Sequence, residues 1–157
     1  MNGLQYYINN ANTRFTNLLF PDNEKRISGL ARIDVRTGMP FVKSSGNNYV
    51  DALFDNSYDL TLFYVETGDR KVLPYGFDAS VDLVVCCSMD KFTSYEEEEI
   101  IEAVYEVFKK TSFRIESINR DSAALEGFEY TEKIKETMLP YFVFRIKTKI
   151  TGILKQM

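Results

Sequence analysis

Two short runs carry residue types that could do chemistry. Cys86 and Cys87 are adjacent, and Glu96, Glu97, Glu98 and Glu99 follow one another shortly afterwards. A thiol pair can serve redox or metal chemistry. Glu96 and Glu99 would share one face of a helix, where two carboxylates can share a proton or a cation. Neither run has the company such chemistry requires. There is no C-x-x-C spacing, no D-x-D-x-D-G calcium loop and no histidine anywhere in the chain. The missing histidine removes the commonest general base, the commonest metal ligand and every Ser-His-Asp arrangement. Glycine-rich phosphate loops of the forms G-x-x-x-x-G-K-[ST] and G-x-G-x-x-G are absent too. Thiols on successive strand positions point to opposite faces, so the pair reads as two small hydrophobes. The glutamates read as solvated acids matched to a helix N-terminus. This reading assigns no catalytic residue, no cofactor and no metal.

Charge is placed unevenly. Residues 94 to 110 hold six glutamates against two lysines, which accounts for the whole net charge of −4. Residues 141 to 157 carry Arg145, Lys147, Lys149 and Lys155 with no acid. On a strand, side chains two positions apart stand about 7 Å from one another, so Arg145, Lys147 and Lys149 would form a basic stripe. That stripe reads as a solvated outer sheet face, as a weak nucleic-acid contact, or as the complement of the acidic helix in a neighbouring copy. The last contact would be head-to-tail and could close a ring. The candidate subunit interface is therefore Glu96, Glu97 and Glu99 against Arg145, Lys147 and Lys149. A second candidate surface is the aromatic N-terminal segment with Tyr6, Tyr7, Phe15 and Phe20, which would dock on a partner or cover its own sheet.

The elements that must position these residues follow from hydrophobic period. Leu4, Ile8, Ala11, Phe15 and Leu18 recur at helical spacing, predicting a helix over 4–19. Alternation predicts strands over 27–36, 58–66, 79–89, 113–118 and 141–151. The 58–66 strand is apolar on both faces and so belongs in the middle of the sheet. Ala79, Val81, Leu83, Val85, Cys87 and Met89 should share one face of the 79–89 strand. Phe142, Phe144, Ile146 and Ile150 should do so in the last. Thr67–Arg70 and Pro74–Gly76 read as turns, and 37–48 as an arm-like loop or hairpin tip. A helix over 94–110 has an apolar stripe of Ile100, Ile101, Val104, Val107 and Phe108. Ser94 and Glu97 would form its capping box, and lysines fill its last turn. A short turn or helix is expected within 121–127, and another helical piece over 130–139.

The chain's 157 residues, 45% hydrophobic and 14% aromatic, suit one domain with a real core. The expected fold class is α+β: a single domain over 1–157, with a mostly antiparallel, mixed sheet and helices packed on one face. Its parts would be the 1–20 helical segment, the 37–48 arm and an α/β core over 50–152. No apolar run is long enough to span a bilayer, and the first residues do not read as a secretory signal, so a protein made and used in the cytoplasm is expected.

This order of elements, with V81-D-L-V-V-C-C-S-M-D-K-F92 running into an acidic-headed helix and M138-L-P-Y-F-V-F-R-I-K-T-K-I-T-G152 closing the sheet, resembles the tail-terminator and head-tail completion proteins of tailed bacteriophages. The neck ring proteins of the crAss-like group are one such set. The resemblance covers residues 50 to 152. It implies a structural virion protein assembled in the host cytoplasm, in which copies form a homo-oligomeric ring. That ring would join portal-proximal proteins to the tail and pass DNA through an acidic or neutral lumen. The alternatives are a small enzyme or ligand-binding domain built on Glu96, Glu99 and Tyr105, and an adaptor that binds a protein through residues 1–20.

Overall fold

The computed structural model describes residues 3–18, 26–45, 48–54, 58–90, 96–128 and 141–153. In chain order these form α1 (Leu4–Leu18), β1 (Arg26–Ile33), β2 (Pro40–Ser45), β3 (Asn48–Asp51), β4 (Leu60–Leu73), β5 (Gly76–Ser88), α2 (Glu97–Phe108), β6 (Arg114–Arg120), a short 3-10 helix (Asp121–Leu125) and β7 (Tyr141–Ile153). The expected helical piece over 130–139 lies outside the described residues. Among those described, the sheet has seven strands in the order β3-β2-β1-β4-β5-β7-β6. β1 and β4 run parallel and every other neighbouring pair runs antiparallel, so the fold is α+β with a mixed sheet.

β4 is central because both of its faces must be covered. Leu60, Leu62 and Tyr64 point to one side and Phe63 to the other, all buried. α1 and α2 lie on the first side. Leu4, Ile8, Ala11 and Phe15 of α1 and Ile100, Val104 and Phe108 of α2 share one core with Leu83, Val85, Cys87, Phe144 and Ile146 of the sheet. Phe15 and Phe108 bring the two helices together, with ring centroids 5.6 Å apart. The other side has its own, smaller core. There Phe63, Val84, Cys86 and Val143 meet Ala52 and Leu53 after β3 and Ala124, Leu125 and Phe128 around the 3-10 helix. Alternation sorts the sheet residues between these cores as the sequence predicts, and the two cysteines fall one in each.

Three segments differ from expectation. The stretch read as an arm over 37–48 contains β2, and β2 and β3 pair as a hairpin whose tip, Gly46–Asn47, lies outside the described residues. Val42 supplies the reason: it alternates inward and is buried, so this polar-looking run has a core anchor. The turn expected at Thr67–Arg70 is instead a bulge inside a long β4–β5 hairpin. Thr67 pairs with Ser80 and Lys71 with Asp78, so two extra residues sit on β4. Gly68 takes a left-handed φ of 69° there, which glycine tolerates at no steric cost. The hairpin turns only at Pro74–Tyr75. Finally, α2 begins at Glu97 and its cap is Glu96, whose backbone N–H donates to Glu99 Oε1 at 3.3 Å. The capping box uses Glu96 and Glu99, and Ser94, expected as the cap, lies outside the described residues. The lysines expected in the last turn stand at its C-cap, Lys109, and one position beyond.

Candidate functional site

The candidate carboxylates are occupied by structural work. Glu96 and Glu99 close the α2 cap. Glu97 and Glu98 both accept from the Arg120 guanidinium, which reaches across from the end of β6 and lies over the Phe142 ring at 5.1 Å. Both thiols are buried. Burial pushes Cys86 up to about 12, and the Cys87 thiol is raised for the same reason, with Cys86 and Glu97 adding to it. A thiol held protonated is neither a nucleophile nor a metal ligand. Among the described residues no group of three or more Cys, Asp or Glu side chains is placed to hold a metal ion.

In the basic stripe of β7, Lys149 is exposed and Lys147 half-buried, but Arg145 is not on the surface. Arg145 is buried, with a relative exposure of 3%. Its Nε donates to Asp82 Oδ2 at 2.7 Å, and its Nη1 donates to the carbonyls of Glu126 at 2.6 Å and Ala124 at 3.4 Å. The guanidinium also covers the Phe128 ring at 5.3 Å. Arg145 thus pins the segment after the 3-10 helix onto the sheet and has no surface to offer a neighbouring copy. Lys147 pairs with Glu126 at 3.0 Å and Lys149 with Glu116 at 3.8 Å. These groups line a polar pocket of about 290 Å³ on the second face, in which Asp82, Glu116, Glu126, Arg145 and Lys147 largely neutralise one another. Within one chain Glu96, Glu97 and Glu99 lie apart from this stripe, the expected contact being one between copies; Glu97 already pairs with Arg120.

The N-terminal aromatics separate by role. Phe15 is wholly buried and belongs to the core, not to a docking surface. Phe20 lies outside the described residues. Tyr6 is half exposed and meets Tyr7 edge-on, with centroids 5.3 Å apart. The Tyr7 hydroxyl accepts from the Ile153 backbone N–H at 3.0 Å, and its ring contacts Phe77. This ties α1 to the end of the molecule where the β4–β5 hairpin turns.

That end holds a surface the sequence reading did not single out. Val72, Tyr75 and Ile153 expose 84%, 66% and 65% of their surface. Tyr75 and Ile153, with Leu73, Pro74 and Gly152, frame an almost wholly apolar hollow of about 280 Å³, and Val72 is exposed outside its lining. Gly152 is required here, because a Cβ would stand 2.2 Å from the Phe77 ring. Phe77 can therefore lie across β7 while Arg70, ion-paired to Glu66 at 2.8 Å, covers it at 4.9 Å. The signal was present in the sequence: Val72 and Tyr75 flank a proline turn, where solvated polar residues are the ordinary choice. No helix among the described residues is long and apolar enough to cross a membrane. No protein-family model matches the chain, and no curated protein matches it in sequence.

Proposed function

We propose that this chain is a structural assembly subunit, a ring-forming component of a tailed-phage neck or tail that stacks between portal-proximal and tail proteins around passing DNA. The observation that carries the reading is the apolar end of the β4–β5 hairpin. Exposed apolar patches rimmed by polar residues mark protein contacts, and this one sits at the turn of the long β4–β5 hairpin. The chemistry-bearing side chains point the same way, because the acids, the thiols and the buried arginine are engaged in capping, packing and ion pairing. The element order that resembles tail-terminator proteins supplies the specific setting, and ring closure through two unlike surfaces supplies the mechanism. The test is native mass spectrometry of the chain alone and mixed with neck proteins of a tailed phage. A closed homo-oligomer in either sample is the expected result. A monomer in both would overturn the reading.

A further inference from the structure

Among the described residues, the helix layer covers only part of the sheet it lies on. Ser28 and Leu30 pair with Leu62 and Tyr64, so alternate residues of β1 face the same side as α1 and α2. β2 and β3 extend that face beyond α1. Between the flank of α1 and this wing runs an open groove of about 490 Å³, with Gln5, Asn9 and Asn12 as its wall and Arg32, Lys43 and Tyr49 on its floor. No carboxylate of the described residues lines it. Arg32 and Lys43 are exposed and have no ion pair with any described acid, as is also true of Arg14, Lys71, Lys110 and Arg114. Asp51, opposite Phe41 and so two strands from Arg32, is the acid on the same face of the wing. Asn12 Oδ1 is buried without a hydrogen-bond partner among the described residues.

At the other end of the same sheet face lies the opposite surface. The outer flank of α2 presents Glu102, Tyr105 and Glu106 above Ile118 of edge strand β6. Glu102 has no ion pair among the described residues, Glu106 pairs with Lys109 at 2.9 Å, and Tyr105 is 36% exposed with the Lys109 ammonium 5.8 Å from its ring centroid. A basic groove at the β3 edge and an acidic, aromatic helix flank at the β6 edge are complementary, unlike and on one face.

We infer that the groove between α1 and the β1–β3 wing receives the Glu102–Tyr105–Glu106 flank of α2 from a second copy of this chain. The entering helix would complete the helix layer over the bare wing and bring carboxylates to Arg32 and Lys43. Each copy offers one groove and one flank, so the contact is heterologous and repeats around a ring. This inference rests on the ring reading and names its lateral contact, using Arg32 and Lys43 where the sequence pointed to the β7 stripe.

The test is a charge swap read by native mass spectrometry and sedimentation. Arg32→Glu with Lys43→Glu, and separately Glu102→Lys with Glu106→Lys, are each expected to weaken self-association about a hundredfold or more. Mixing the two variants should restore assembly, because each then meets its opposite charge. Unchanged circular dichroism and melting confirm that both variants fold. Wild-type assembly that neither swap disturbs overturns the inference and leaves the ring reading standing. A wild-type chain that stays monomeric alone and with neck proteins overturns both. Single-stranded DNA that binds the wild type and is lost with Arg32 and Lys43, without effect on assembly, would assign the groove to nucleic acid instead.

Discussion

Tyr64 lies wholly inside the helix-side core, and its hydroxyl has no hydrogen-bond partner among the described residues. An unsatisfied buried hydroxyl costs about 1–3 kcal/mol. Burial also raises its ionisation well above the usual phenol range, as it raises both cysteines. All three groups are neutral when protonated, and folding favours that form. Their contribution is complete below the pKa of the unfolded chain and is lost as pH rises towards the folded value. For Cys86 that window runs from the ordinary thiol value of 9.0 to about 12. The urea midpoint is therefore expected to hold steady from pH 6 to 8 and to fall through pH 9 to 11. Tyr64→Phe should raise it at neutral pH by about 1–2 kcal/mol of stability and make the alkaline fall shallower. A lower midpoint for Tyr64→Phe would show that the hydroxyl is satisfied after all. The burial of the thiols was legible in the sequence, since alternation places one on each covered face of a strand. The fate of Arg145 was not. Alternation assigns it the same face as Lys147 and Lys149, and nothing local says that Asp82, 63 positions earlier, waits on the neighbouring strand.

At the scale of elements, that pair decides how the second face is covered. Ala124, Leu125 and Phe128 pack into the second core, and Arg145 holds the carbonyls of Ala124 and Glu126 while its Nε holds Asp82. Removing one partner of a buried pair leaves an uncompensated charge, which costs about 3–5 kcal/mol, whereas replacing both by apolar residues is often near neutral. Arg145→Met should therefore destabilise the chain by about that amount in urea unfolding. Adding Asp82→Leu should recover most of it. A single replacement costing under about 1 kcal/mol would mean that the pair is not formed in solution. The strands were readable where both faces of the sheet are covered or alternate cleanly, as in β4, β5 and β7. β2 was hidden because its one deep anchor, Val42, sits among Lys43, Ser44 and Ser45, whose polarity resembles a loop. α2 was readable through its apolar stripe, but its start was misplaced by two residues because four consecutive glutamates offer several equivalent caps.

On the scale of the whole molecule, the two ends of the sheet face and the end of the hairpin are separate surfaces, which is what a ring subunit that also stacks axially requires. The lateral contact would use charge, and the axial one apolar area at Val72, Tyr75 and Ile153. Val72 and Tyr75 bury almost nothing within the chain, so Val72→Asp with Tyr75→Asp should leave the melting temperature within about 2 °C of wild type. In an axial partner's hydrophobic pocket, by contrast, two buried carboxylates would be left unpaired, and binding should fall by at least a hundredfold. Lateral assembly of the chain alone should survive, because the Arg32–Lys43 groove and the Glu102 flank are untouched. Pull-down of neck proteins and native mass spectrometry of the same variant read the two contacts independently. Loss of the homo-oligomer with retained partner binding would reverse the assignment, making the hairpin end the lateral surface. Retention of both would remove the apolar end from the assembly and with it the observation on which the structural role rests.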